Sequence, residues 1–185
     1  MVDRVVVTAG PWISRLVPQL APALHVTKQQ YAYLRIARNA ASFAPGRFPV
    51  WIDAGEVTGG EVYGFPSDGR VEGVKFAVHV EGAPVDPDNV RREVDEAALD
   101  VLRAYAAERL PDLSGEVVAA KACLYTNTPD HDFVIGEENG IVFVSGCSGH
   151  GFKFTVLLGQ IAAELATGRK PAIDLSKFAA ARFAC

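Results

Sequence analysis

Gly73-Val74-Lys75-Phe76-Ala77-Val78-His79-Val80 alternates with a period of two, the pattern of a β-strand with one buried face. Val74, Phe76, Val78 and Val80 fall on one side of the pleat, and Lys75, Ala77 and His79 on the other. At ~3.3 Å per residue, Lys75 and His79 stand ~13 Å apart along the strand, and the small Ala77 leaves a shallow floor between them for a flat ligand. Read on its own, the same pattern also describes a solvated outer face.

Working outward from this strand, further strand signals lie at Leu24 to Ile36, Pro49 to Ile52 and Glu61 to Phe65, with Gly, Pro and Asp between them. Such short spacing favours an antiparallel sheet. On the C-terminal side, Asp86-Pro87 reads as an N-cap followed by Pro at the first helical position. Val90, Val94, Ala97, Ala98, Val101 and Tyr105 then form one apolar stripe of a surface helix. Strands follow at Glu116 to Tyr125, Phe133 to Ile135 and Ile141 to Ser145, and a last helix runs from about Phe152 to Ala166. Its buried face carries Phe154, Leu157, Leu158, Ile161, Ala162 and Leu165. At the other end, Val5-Val6-Val7 reads as a strand closed by Thr8-Ala9-Gly10-Pro11, and Trp12, Ile13, Leu16, Val17 and Leu20 follow with helical spacing. The chain is therefore α+β. A mixed, largely antiparallel sheet from about Leu24 to Gly115 has the helix from Pro87 over one face, and it is flanked by residues 1–23 and 116–185.

With 185 residues the chain is too short for two full-sized domains, and its 49% hydrophobic and 22% charged residues are those of a globular protein. A net charge of -4 with scattered basic residues gives no footprint for nucleic acid. The longest stretch without Asp, Glu, Lys or Arg, Asn139 to Phe152, contains four glycines and a histidine and falls short of the ~20 apolar residues of a membrane span. Asp3 and Arg4 interrupt any apolar signal core, so the expected compartment is the cytoplasm. Cys123, Cys147 and Cys185 show neither disulfide nor zinc spacing and read as small buried hydrophobes. His25 and His131 lack a spaced ligand partner, and no metal is expected.

Gly146-Cys147-Ser148-Gly149-His150-Gly151-Phe152-Lys153 joins a strand to the last helix, where backbone N–H groups are free at a positive helix end. The glycines allow a ligand close approach. Lys153, in the first turn, opposes the helix dipole, so its charge serves something other than the helix; a plain surface turn is the competing reading.

Read in order, Tyr63-Gly64-Phe65-Pro66, Gly73-x-Lys75-x3-His79, Asp86-Pro87-Asp88, Lys121-Ala122-Cys123-Leu124-Tyr125-Thr126-Asn127-Thr128 and Ser148-Gly149-His150-Gly151-Phe152-Lys153-Phe154 resemble the monomeric sarcosine oxidase and N-methyltryptophan oxidase family, over essentially the whole chain. The resemblance implies the C-terminal half of such an enzyme: residues 1–23 end an FAD-binding domain, 24–115 form a substrate domain, and 116–185 return to the FAD-binding domain. It implies FAD as cofactor, a small secondary amino acid and O2 as substrates, and oxidation of a C–N bond to an imine with release of H2O2. Position by position, Cys123 resembles the cysteine that carries the flavin covalently, Lys75 the lysine that activates O2, and His79 a histidine that orients substrate. Lys153 resembles the residue that binds the substrate carboxylate, Tyr63 a pocket tyrosine, and Gly149 a backbone contact to the substrate amine. His150, Gly151 and Phe152 belong to the same cofactor turn. Cys123 and Gly149 are then expected at opposite ends of one flat ring, with Lys121 as the cation that helps ionise the thiol.

One family feature does not occur in this sequence, the Gly-x-Gly-x-x-Gly turn that binds the ADP part of FAD. The resemblance therefore implies that a missing N-terminal half or a second chain supplies it; the alternative is a non-catalytic fragment or binding module without FAD.

Overall fold

A computed structural model describes residues 3–55 and 59–183; Cys185, read above as a buried thiol, lies outside the described residues. In chain order the main elements are β1 (Val5–Val7), α1 (Ile13–Leu16), β2 (His25–Ile36), β3 (Trp51–Asp53), β4 (Glu61–Phe65), β5 (Val74–His79), α2 (Glu96–Arg109), β6 (Leu113–Asn127), β7 (Val134–Glu138), β8 (Ile141–Ser145) and α3 (Thr155–Ala166). The fold is α+β and divides into two compact units. One comprises Lys28–Gly82 and Arg91–Cys123; the other comprises Met1–Thr27, Ala83–Val90 and Leu124–Cys185.

The first unit is built on a five-stranded sheet in the order β3-β4-β5-β2-β6, antiparallel at each of the first three pairings. Its register aligns Ala32, Phe76, Gly64 and Trp51 in one cross-strand row, and Tyr33, Lys75 and Phe65 in the next. Adjacent rows point to opposite faces. On the first face Ala32, Leu34, Val62, Val74 and Phe76 pack with Leu99, Leu102, Tyr105 and Ala106 of α2 into one core. Gly64 has no side chain because the Trp51 indole lies where its Cβ would stand. That indole stacks on Tyr105, with centroids 5.7 Å apart and planes 8° from parallel. The Tyr105 hydroxyl donates to Asp53 at 2.9 Å, tying α2 to β3. Burial, then the Asp53 carboxylate, pushes the Tyr105 phenol well above its ordinary range.

Helix α2 corrects the sequence reading. It starts at Glu96 rather than near Pro87, with Asp95 as its N-cap accepting from the Ala97 N–H at 3.0 Å. Asp86 is occupied elsewhere: its carboxylate accepts from Arg15 at 2.7 Å and from the Asp88 N–H at 3.1 Å, and its carbonyl accepts from the Asn89 N–H at 3.2 Å. An Asp side chain that bonds its own backbone two residues on makes a turn, and here the turn won over the helix start. The late start shifts the buried stripe to Leu99, Leu102, Tyr105 and Ala106, and leaves Val101 exposed.

The second unit holds a three-stranded sheet, β1-β8-β7, in which β1 runs parallel to β8 and β7 antiparallel to it. The helix expected after Trp12 is broken into a 3-10 turn at Gly10–Trp12, the four-residue α1, and a second 3-10 stretch at Pro18–Ala23. Pro18 and Pro22 remove the amides a continuous α-helix would need. Ile13, Val17 and Leu20 still reach the core with Val134 and Phe143, while Leu16 is exposed. On the other side Ile161 and Ala162 of α3 pack with Phe133, Ile135 and Val144. Phe154 and Leu157, expected on that buried face, are partly open to solvent. Among the described residues no helix is long and apolar enough to cross a membrane.

The phase of α2 makes a sharp contrast between adjacent residues. Leu102→Ala, at a fully buried position, is expected to cost about 2–5 kcal/mol, whereas Val101→Ala stays within ~0.5 kcal/mol. Denaturant unfolding of both variants measures the difference, and equal losses would contradict the observed phase.

Candidate functional site

The uncovered face of the five-stranded sheet carries Tyr33, Phe65 and Lys75 in one cross-strand row, with Tyr63 opposite Ala77 in the next row of the same face. His79 pairs with Glu61 one step further on. This face is not a simple solvated surface, since Ala77 is buried. The Lys75 ammonium sits 4.1 Å from the Tyr31 ring centroid and 5.5 Å from that of Phe65. Such contacts hold a cation without neutralising it. His79 meets Tyr63 edge to face at 6.3 Å, and Tyr63 meets Phe65 in the same way at 6.0 Å. The structure thus brings Lys75, His79 and Tyr63 together on one aromatic surface.

Cys123, on β6, belongs to the same unit and is half-buried. Burial pushes its thiol above the ordinary value, and the charges of Lys75 and Arg92 pull against that shift. The cations that the thiol feels are therefore these two and not Lys121, which is exposed two residues away and makes no such contribution. Sequence spacing pointed to Lys121 because it shares a strand; Lys75, two strands away in the sheet, and Arg92 were invisible to it.

In the second unit the turn after β8 is wound tightly, with Gly146, Ser148 and Gly149 all at positive φ (66°, 44° and 78°). A side chain at Gly149 would overlap the Tyr125 ring, and one at Gly151 would come within 2.7 Å of the Cys147 sulfur. Ser148, buried, receives the backbone from both sides: its N–H donates to the Thr126 carbonyl at 3.0 Å and its hydroxyl to the Gly146 carbonyl at 3.2 Å. His150 Nε2 lies 2.9 Å from the His131 carbonyl, which can only accept, so this nitrogen carries the proton and the ring is anchored to the loop after β6. Phe152 is exposed, and Lys153 lies in a 3-10 turn at Phe152–Phe154, ahead of α3 rather than within it. Helix α3 opens without a side-chain cap, leaving its positive end unscreened.

Gly149, Gly151 and Phe152 of this turn border a cavity of about 260 Å³ that Thr8, Gly10, Tyr125 and Ser145 also line, whereas His150 and Lys153 line a different cavity with Phe133 and Ile161. The former lies at the carboxyl ends of the parallel neighbours β1 and β8, the position where α/β sheets bind ligands. One buried polar atom there, the Ser145 hydroxyl, has no hydrogen-bond partner among the described residues.

Residues 1–165 match the family of FAD dependent oxidoreductases. The chain belongs to that family. Among curated relatives it is 34% identical to N-methyl-L-tryptophan oxidase of Salmonella heidelberg over 98% of this chain and 48% of the relative. It is 32% identical to the monomeric sarcosine oxidase of Streptomyces avermitilis, over 88% of this chain and 44% of the relative. The solved structure of NikD, an unusual amino acid oxidase essential for nikkomycin biosynthesis, superposes with a TM-score of 0.74 at 26% identity, over 95% of this chain and 47% of the other. Glycine oxidase from Geobacillus kaustophilus shares the fold at 23% identity, with a TM-score of 0.74 over 98% of this chain and 46% of the other. This FAD-family chain therefore spans about half the length of the curated relatives it matches.

The residues present fit part of such a cofactor. The cavity is smaller than the ~300–1,000 Å³ of a whole small-molecule site, and it offers glycine backbone and an unpaired hydroxyl. Sequence reasoning missed Tyr31, Tyr125, Arg92 and Ser145. Tyr31 was legible in principle, since it shares parity with Tyr33 on β2; the other three depend on long-range placement.

The Cys123 environment predicts its reactivity. In a Cys147→Ser, Cys185→Ser background, alkylation by iodoacetamide should rise with pH around a midpoint above the ~8.5 of a free thiol, because burial raises the folded-state value. Lys75→Met removes an opposing charge and moves the midpoint higher still. A midpoint at or below that of free cysteine would contradict the assignment.

Proposed function

We propose that this chain is the C-terminal portion of an FAD-dependent oxidase that oxidises the C–N bond of an N-methyl or other secondary amino acid to an imine, with O2 reduced to H2O2. The observation that carries the reading is Lys75, a charged ammonium held among Tyr31 and Phe65 on the uncovered sheet face, with its charge reaching Cys123. Similarity to enzymes named for N-methyl-L-tryptophan and sarcosine supports the substrate class.

When bound, FAD would supply the two-electron redox chemistry that links oxidation of the C–N bond to reduction of O2. The chain's own residues hold and bias that chemistry. Cys123 would hold the flavin through its sulfur, and the Gly149-His150-Gly151-Phe152 turn would support the cofactor with close backbone approach. Lys153 binds the substrate carboxylate by charge. Gly149 contacts the substrate amine through its backbone, Tyr63 lines the pocket, and His79 contacts and orients the substrate. Negative charge develops as O2 is reduced, and the Lys75 ammonium, already in place, stabilises it without reorganising. The dinucleotide-binding half, continuous with this chain or separate from it, supplies the ADP site.

With that half present, the protein should release H2O2 from one of sarcosine, N-methyltryptophan, pipecolate or a glycated amino acid. Lys75→Met should slow reoxidation of reduced protein by O2 by about 10²-fold or more, while anaerobic reduction by substrate changes only a few-fold. Stopped-flow absorbance separates the two half-reactions. Unchanged reoxidation would remove Lys75 from this role; a colourless protein that forms no peroxide would favour the non-catalytic binding module.

A further inference from the structure

Ser145 is the last residue of β8, and its backbone is committed to the sheet opposite Val134. The residue is 2% exposed, yet its hydroxyl has no hydrogen-bond partner among the described residues. Buried hydroxyls in folded proteins are nearly always paired, because desolvation without a partner costs stability. A serine left unpaired at the end of an Ile-Val-Phe-Val run therefore points to a partner outside the polypeptide. Its neighbour Val144 goes into the apolar cluster with Ile161 and Ala162 of α3. Ser145, together with Val144, also lines the 260 Å³ cavity formed where β1 and β8 end. Gly10, at φ 53° just after β1, lines the opening and brings no side chain into it.

We propose that Ser145 is a cofactor-binding residue, its hydroxyl donating to an oxygen or ring nitrogen of FAD in this cavity. The inference rests on the FAD reading above and adds to it a contact made by this chain's own strand. It also explains why a polar residue closes an otherwise apolar strand.

The test uses the protein with its dinucleotide-binding half present and the flavin made exchangeable by Cys123→Ser. Ser145→Ala should weaken FAD binding, followed by quenching of flavin fluorescence, by about threefold to tenfold, the worth of one hydrogen bond. Ser145→Thr, which keeps the hydroxyl, should restore it. Without FAD, the Ser145→Ala protein should melt at the same temperature as the parent or higher, since an unpaired hydroxyl has been removed. Unchanged FAD affinity in Ser145→Ala would overturn this contact and leave the FAD reading intact. A lower melting temperature of the FAD-free variant would also overturn it, by showing that the hydroxyl has an internal partner. Failure of the parent to bind FAD would overturn both readings together.

Discussion

Val74 and Phe76 of β5 are fully buried against α2, and their burial decides which way Lys75 faces. A strand alternates strictly, so a slip of one residue would expose Phe76 and drive the Lys75 ammonium under α2. Each large apolar side chain lost from the core costs about 1.5–3 kcal/mol, and an unpaired buried charge costs more. The start of the strand is fixed as well. Gly73 sits at φ 102°, and a side chain there would overlap the Leu34 carbonyl, so the chain enters β5 in one way only. One strand over, Gly64 admits the Trp51 ring, and the ring carries the stack to Tyr105. The aromatic surface around Lys75 is thus the reverse side of a core whose packing leaves it no choice.

In the second unit, glycines serve the turn's own packing before they serve any ligand. Gly149 is required by a positive φ and by the Tyr125 ring lying against it; Gly151 is required by the Cys147 side chain. The same absence of side chains leaves backbone open on the cavity side. Internal packing and close approach to a cofactor therefore ask for the same residues, and only the unpaired Ser145 hydroxyl separates the two demands.

Much of this was legible in the sequence, for physical reasons. The bounds of β4 and β8 followed from short strand-forming runs set off by turn residues, and the faces of β5 from period-two patterning, both of which depend only on local sequence. The start of α2 was not legible: Asp86-Pro87 is a good helix cap and an equally good turn, and the choice was made by Arg15, 71 residues away. The phase of the apolar stripe failed with it. Lys75 and His79 were recognisable as a pair because alternation puts them on one strand face; Tyr63 entered only through the family resemblance, and its place beside them comes from the pairing of β4 with β5. The electrostatic partners of Cys123 were hidden, since Arg92 reaches it from a segment with no regular structure.

In the function proposed above, Cys123 is the residue that carries the cofactor. The direct measurement is mass spectrometry of the acid-denatured, flavin-containing protein. Trypsin leaves Cys123 and Cys147 in one peptide, because no Lys or Arg occurs between Lys121 and Lys153. Fragment ions or a second protease must therefore place the added mass. The account predicts the mass of FAD on fragments that contain Cys123 and lack Cys147. Flavin released entirely on denaturation, or found on Cys147, would contradict it.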